Sequence, residues 1–173
     1  MSRLSRRALL WLVPLWITLH NLEEMAGMGS MLAALPGKIP GWLVDALAGA
    51  GLPPSYRQFL LMLLVVTALP YLLASLGGAR RARGPRTFLL VTTQAVMFVN
   101  VFSHLVSMAV MGGYVPGLVT ALAINLPFSL YLFAVGLRQG WLRWGDLVYL
   151  LPVALVLHGP GLLGLTALSG WLV

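Results

Sequence analysis

The stretch WITLHNLEEMAG, residues 16–27, places one histidine and two adjacent carboxylates inside an apolar run that extends from Ala8 to about Leu35. Glu23 and Glu24 are two of only four acidic residues in a chain of 173 residues. A charged side chain at the centre of a membrane helix costs roughly 2.5–3.5 kcal/mol on insertion scales. The stretch therefore predicts a membrane helix whose ionisable residues serve a function.

The composition makes lipid the expected solvent for most of the chain. Hydrophobic residues make up 60% and charged residues only 9% of the sequence, whereas soluble domains carry roughly 25% charged residues. The absence of cysteine excludes disulfides, thiolate metal ligands and a cysteine nucleophile. The net charge of +7 comes from short arginine blocks between apolar runs, which topology and anionic lipid explain better than nucleic acid. The expected partner is therefore the lipid bilayer and not a nucleic acid.

Five apolar segments, each long enough to cross a bilayer, predict an all-α fold: a polytopic membrane helix bundle with about five transmembrane helices. The predicted spans cover residues 8–28, 58–76, 87–111, 118–137 and 147–167. Residues 41–49 are too few to span and predict a short interfacial helix at the membrane surface. The whole chain, residues 1–173, is expected to form a single integral membrane domain.

The positions of the arginines predict the orientation of the helices, because loops rich in Lys and Arg stay on the cytoplasmic side. With five spans, three arginine blocks fall on one side of the membrane, while the other side holds only Lys38 and Arg57. The blocks consist of Arg3, Arg6 and Arg7; Arg80, Arg81, Arg83 and Arg86; and Arg138 and Arg143. The N-terminus is therefore predicted inside and the C-terminus outside.

Strongly polar side chains recur inside the predicted spans at helical spacing. In the first span the histidine and the two glutamates are three and four residues apart, so they share a face, as do an asparagine and a histidine in the third span. A rise of ~1.5 Å per residue puts these groups at depths that overlap with polar groups of the fourth and fifth spans. We expect seven of them to face one cavity. They are His20, Glu23, Glu24, Asn100, His104, Asn125 and His158.

This set of side chains favours a metal-dependent enzyme. Imidazole and carboxylate suit zinc, iron or manganese, and a catalytic zinc has three protein ligands with one open position. The candidate metal ligands are His20, Glu23, Glu24, His104 and His158; the candidate catalytic residues are Glu23, Glu24, Asn100 and Asn125. One divalent metal is expected, with a glutamate that does not bind it as general base. A site inside the membrane predicts a lipid or another hydrophobic small molecule as substrate.

Other functions of the same residues stay open. Two adjacent glutamates in an apolar environment resist ionising together, so one could carry a proton for a metal-free isomerase or cyclase. Buried histidines and carboxylates also serve proton or cation transport, for which an oligomer could supply a pathway. In a structural interpretation the cluster is a polar lock between helices, His158 satisfies carbonyls freed near Pro160, and Asn125 bridges two helices.

Two short motifs resemble those of a known family. His20-Asn-Leu-Glu23-Glu24 follows the pattern H-x-x-E-E in the first span, and Asn100-Val-Phe-Ser-His104 follows N-x-x-x-H in a later one. Together they resemble the family of bacterial membrane proteins named for its HXXEE motif. The resemblance covers nearly the whole chain in size and hydropathy, and it implies the bacterial cytoplasmic (inner) membrane as the location. The family has no known function, so the resemblance implies no substrate.

Overall fold

The computed structural model describes residues 4–49, 51–79 and 84–170. Throughout these ranges the regular secondary structure is helical, with no strand, which confirms the predicted all-α fold. Within the described ranges, six helices of eight or more residues follow one another. They are α1, Arg6–Ala34; α2, Gly41–Gly49; α3, Tyr56–Gly77; α4, Pro85–Met111; α5, Leu118–Arg138; and α6, Trp144–Ser169.

The helices begin and end where local chemistry favours it. Ser5 caps α1 by accepting a hydrogen bond from a backbone N–H of the first turn. A capping box starts α3, because Ser55 and Gln58 each accept from the other's backbone N–H. Pro85 occupies the first turn of α4, where its missing N–H is tolerated. Gly112 ends the same helix in the left-handed conformation that glycine adopts without strain.

Four helices, α3 to α6, are long and apolar enough to cross a membrane, which makes this chain a membrane protein. They correspond to four of the five predicted spans. The first predicted span forms α1, whose 29 residues are long enough to cross a bilayer, but it is not among the four. Its sequence holds His20, Asn21, Glu23 and Glu24, which make it more polar than the other four.

The bundle is organised around α4, which packs against α1, α3, α5 and α6. A core of fully buried leucines lies on the inner faces of these helices, with Leu10 from α1, Leu90 from α4, Leu132 from α5 and Leu150 from α6. Large apolar side chains also cover the outer faces of the bundle, where a soluble protein would place charges. This distribution is what lipid as a solvent requires.

Two of the membrane helices contain a widened π-helical turn beside the polar residues. In α5 this turn covers Ala121–Asn125, and in α6 it covers Leu157–Gly161. The turn in α6 contains Pro160, whose ring cannot donate a helical hydrogen bond. Wide turns of this kind are frequent at functional sites, because they redirect side chains within an otherwise regular helix.

Two of the arginines in the predicted orientation pattern lie at helix ends. Arg86 at the start of α4 donates from Nη1 to the carbonyl of Leu76, 2.6 Å away, and so joins α4 to the end of α3. Arg138 lies in the last turn of α5, where a cation stabilises the helix dipole. Four further arginines of the predicted pattern, Arg3, Arg80, Arg81 and Arg83, lie outside the described residues. The orientation stays a prediction.

Candidate metal centre

Two helices bring three potential metal ligands together inside the bundle. His20 and Glu24 lie one turn apart on α1, and His104 faces them from α4. His104 Nε2 is 3.3 Å and His20 Nε2 is 3.5 Å from the same Glu24 oxygen, Oε1. The two Nε2 atoms are 3.3 Å apart. His20 is fully buried and His104 is 6% exposed, so this is an interior cluster.

The separations between these atoms match the dimensions of a tetrahedral metal site. Zinc binds imidazole nitrogen at about 2.0–2.1 Å and carboxylate oxygen at about 2.0–2.2 Å. Two ligand atoms at adjacent corners of such a tetrahedron are therefore ~3.3–3.5 Å apart. All three observed separations, 3.3, 3.3 and 3.5 Å, fall in this range. The fourth corner would be left for water or substrate.

The hydrogen bonds around the two histidines are compatible with the tautomer that a metal ligand needs. Asn100 Nδ2 lies 2.7 Å from His20 Nε2 and 3.1 Å from His104 Nε2. Where the amide nitrogen donates to both rings, both Nε2 atoms accept and carry no proton, which is the state that a metal ligand requires. In that tautomer neither ring can donate from Nε2 to the Glu24 carboxylate, so a cation between the three atoms would stabilise the cluster.

The other nitrogen of His20 is held by a threonine and, through it, by the second glutamate of the motif. His20 Nδ1 lies 2.8 Å from Thr120 Oγ1, and this hydroxyl donates to Glu23 Oε2 over 2.6 Å. Because the hydroxyl proton points to the carboxylate, Thr120 accepts from Nδ1–H. A hydrogen-bonded partner of this kind fixes the tautomer and the ring orientation of a metal-binding histidine.

Glu23 itself caps α5 from outside that helix. The residue that precedes α5 is Gly117, which has no side chain to accept from the free N–H groups of the first turn. Glu23 accepts from the backbone N–H of Val119 and Thr120 at 3.1 and 2.8 Å. The Tyr114 hydroxyl also donates to Glu23, at 2.8 Å, and this bond raises the pKa of Tyr114 above its ordinary value. Glu23 thus lies outside the cluster that could hold a metal.

The turn between α4 and α5, residues 112–117, packs directly on the cluster. Gly117 has a φ of +87°, and a Cβ at this position would lie 2.5 Å from His104 Cε1 and 2.9 Å from Glu24 Cγ. One turn along α1, a Cβ on Gly27 would lie 2.7 Å from the ring of Pro116. Both contacts are closer than real Cβ atoms make, so the turn can reach the ligands only because these positions are glycine.

His158 and Asn125, the two remaining histidine and asparagine candidates, occupy different surroundings. His158 Nε2 lies 2.7 Å from Ser103 Oγ, outside the three-residue cluster. Asn125 is fully buried and, among the described residues, neither polar atom of its amide has a hydrogen-bond partner. Its backbone carbonyl accepts from Ser129, which in turn accepts from Gln94 Nε2. The structure therefore places Asn125 in a second polar group, between α4 and α5.

A cavity of about 310 Å³, hereafter the chamber, adjoins the cluster. Its walls are mainly apolar side chains of α1, α3, α4 and α6. One part of the wall is polar. It consists of Asn21, Glu24, Thr93, Asn100 and His158. The chamber is thus an apolar space large enough for a small ligand, and it lies directly beside the cluster that could hold a metal.

Sequence reasoning did not identify Thr120, Tyr114 and Gly117 as parts of the site. One signal was available: the segment GGYVPGLVT, residues 112–120, starts a helix after a glycine and has no polar residue at its N-cap. A helix start without its own cap requires an acceptor from elsewhere in the fold. The carboxylates of α1 were the available acceptors.

The fold and the site together define a class: a polytopic helical membrane protein with an interior cluster of histidine and carboxylate. A family model described as protein of unknown function with HXXEE motif matches residues 11–132, and the chain belongs to this family. The matched region contains the three cluster residues and Asn100, and it ends within α5, before the helix that carries His158. Neither the curated proteins nor the solved structures contain a match to the chain.

Proposed function

We propose that the protein is a metal-dependent intramembrane enzyme that acts on a lipid or another hydrophobic small molecule. The observation that carries the proposal is the set of three potential metal-ligand atoms separated by 3.3–3.5 Å and facing one another in the interior. In the tautomer that binds metal, where neither Nε2 carries a proton, the electron pairs of these atoms repel one another unless a cation lies between them. Zinc fits the separations, and iron and manganese bind the same ligand types.

In this proposal His20, His104 and Glu24 hold the metal, which would polarise a substrate oxygen or activate a water at its open position. Asn100 lies against both histidines and could donate to an oxygen bound at that position.

Glu23 has four donors around its two oxygens, so we assign it to positioning rather than to proton transfer. His158 lines the chamber and is the candidate general acid or base. Asn125 stays a candidate catalytic residue, which would act through a buried water molecule.

The proposed location is the bacterial cytoplasmic membrane, with the N-terminus inside and the C-terminus outside. The distribution of Lys and Arg supports this orientation. It would put the cluster between the midplane and the outer leaflet, since His20 is ~18–21 Å along α1 from its cytoplasmic end. A substrate would then reach the cluster from the bilayer.

The first test is the metal content of the protein, purified in detergent without a histidine tag. We expect about one equivalent of zinc, iron or manganese per chain by elemental analysis. His20→Ala should lose this metal. His158→Ala is the matched control, a half-buried histidine outside the cluster, and should retain it. A folded protein that holds no metal, even after reconstitution with each ion, would contradict the proposal.

A metal-free acid–base enzyme is the second candidate, and one observation favours it. Hydrogen bonds run without a break from Tyr114, which is 62% exposed, through Glu23 and Thr120 to His20. Such a chain can carry a proton from the membrane surface to the cluster. Failure of the metal test would therefore favour a proton-transferring isomerase or cyclase, or a proton path.

Thr120 provides a test of how the metal would be held. Thr120→Val keeps the volume but removes both the acceptor for His20 Nδ1–H and a donor to Glu23. We expect the zinc affinity to fall about 10–100-fold, the usual effect of losing a hydrogen-bonded partner of a metal ligand. Thr120→Ser retains the hydroxyl and should restore most of the affinity. A chelator competition titration compares the three proteins, and equal affinities would exclude a positioning role for Thr120.

A further inference from the structure

The chamber is open towards the bilayer between α3 and α6. These helices touch near the C-terminal end of α6, where Thr166 donates to Met62 Sδ at 3.0 Å. The first half of α6 packs against α4 instead. The two helices therefore form a wedge, with the chamber between them and α4 behind it.

Some side chains at the wide part of the wedge line the chamber and are also exposed on the outer surface of the bundle. Val65 and Leu69 of α3 line the chamber and are 43% and 47% exposed. Leu157 of α6 lines the opposite side and is 44% exposed. Outward-facing apolar residues of a membrane helix contact lipid tails, so this opening connects the chamber with the hydrocarbon region rather than with water.

The polar part of the wall limits the head group that fits. Among the described residues no Arg or Lys lines the chamber, and Glu24 contributes a carboxylate to it. Apart from the proposed metal, a phosphate or sulfate head group would meet no cationic side chain in the described wall and would lie against the Glu24 carboxylate. An uncharged oxygen can accept from Asn21, Asn100 or His158 and reach the cluster at Glu24. A volume of about 310 Å³ is near the lower end of ligand pockets and favours one chain over two.

From this geometry we infer that the chamber binds a single-chain lipid with an uncharged oxygen head group, such as an alcohol, aldehyde or ester, admitted from the bilayer between α3 and α6. The inference rests on the proposed function, since it names the class of substrate for the same site. The head group lies at the polar wall beside Glu24 and Asn100, and the chain extends along α3 and α6 towards the opening.

Photolabelling with a long-chain alcohol that carries a diazirine in its chain tests this inference on the full-length protein in lipid nanodiscs. We expect saturable labelling of chamber residues such as Met97 and Leu162, located by mass spectrometry. Leu157→Trp narrows the opening at a lipid-exposed position and should reduce the labelling about tenfold. Leu130→Trp is the control, since Leu130 is 53% exposed on α5 and does not line the chamber. It should leave the labelling unchanged.

Competition and metal content complete the experiment. An unlabelled long-chain alcohol should compete with the probe, whereas an alkyl phosphate of equal length and a diacylglycerol should not. Unsaturable labelling, or equal labelling in Leu157→Trp and Leu130→Trp, would overturn the inference, and so would competition by the alkyl phosphate. Metal analysis of the same samples separates the two proposals. Metal with unspecific labelling defeats only the lipid inference, and saturable labelling without metal defeats only the metal-dependent function.

Discussion

Glu24→Gln is expected to abolish metal binding and yet leave the metal-free protein at least as stable as the wild type. The carboxylate oxygen of Glu24 is 3.3 and 3.5 Å from two ring nitrogens, which carry no proton in the tautomer that binds metal. A glutamine amide can donate a hydrogen bond to such nitrogens, whereas a carboxylate cannot. The substitution also removes a charge that is 12% exposed and has neutral partners in that tautomer.

Loss of the anionic ligand should lower the zinc affinity at least ~100-fold, because a neutral amide oxygen is a much weaker ligand for this ion. Chelator competition measures this affinity, and thermal unfolding in detergent with a chelator present measures the stability of the metal-free protein. A polar lock between helices predicts the opposite pattern, with a clear drop in melting temperature and no metal in either protein. The sign of the stability change thus separates a binding site from a structural lock.

The neighbouring Glu23→Gln is the matched control, since the chemical change is the same one residue away. Both oxygens of Glu23 accept hydrogen bonds, from the Tyr114 hydroxyl and from donors on Val119 and Thr120. A glutamine NH₂ would face two donors in place of one oxygen, which costs about 1–3 kcal/mol in a partly buried site. We expect Glu23→Gln to lower the melting temperature and Glu24→Gln not to lower it.

The sequence was sufficient to predict the pairs on each helix, but not the different roles of the two glutamates. Spacings of four residues put His20 with Glu24, and Asn100 with His104, whatever the rest of the fold does. Residues 23 and 24, however, are ~100° apart around the helix, on opposite flanks of the direction that His20 takes. Which flank faces α4 and which faces α5 depends on how the helices pack. Only the structure shows that Glu24 meets His104 and that Glu23 meets the start of α5.

The fold, like the site, could be predicted only in part from the sequence. Apolar length alone predicted four segments that form helices able to cross a membrane, because hydrophobic runs of that length have few other stable arrangements. The first predicted span also forms a helix, but its polar residues leave it outside the four helices that are apolar enough to cross a membrane. Its packing against α3 and α4 is a tertiary property. The opening of the chamber is likewise a property of helix packing, since it depends on where α3 and α6 separate.

Gly117→Ala is expected to destabilise the protein by about 2–4 kcal/mol and to weaken metal binding together with it. Two effects add at this position. A φ of +87° is strained for any residue with a Cβ, and the new methyl group would lie 2.5 Å from His104 Cε1 and 2.9 Å from Glu24 Cγ. Since both neighbours belong to the cluster, relief of the clash must move the ligands or lift the turn from them.

Gly112→Ala separates the two effects, because Gly112 has a similar φ of +75° but open space, with no described neighbour within 4 Å, where the new methyl group would lie. It carries the backbone strain alone, worth about 1 kcal/mol. Thermal unfolding and chelator competition should therefore show a small loss of stability with unchanged zinc affinity for Gly112→Ala, and a larger loss of both for Gly117→Ala. Equal effects of the two substitutions would mean that the 112–117 turn yields readily and does not hold the ligands in place.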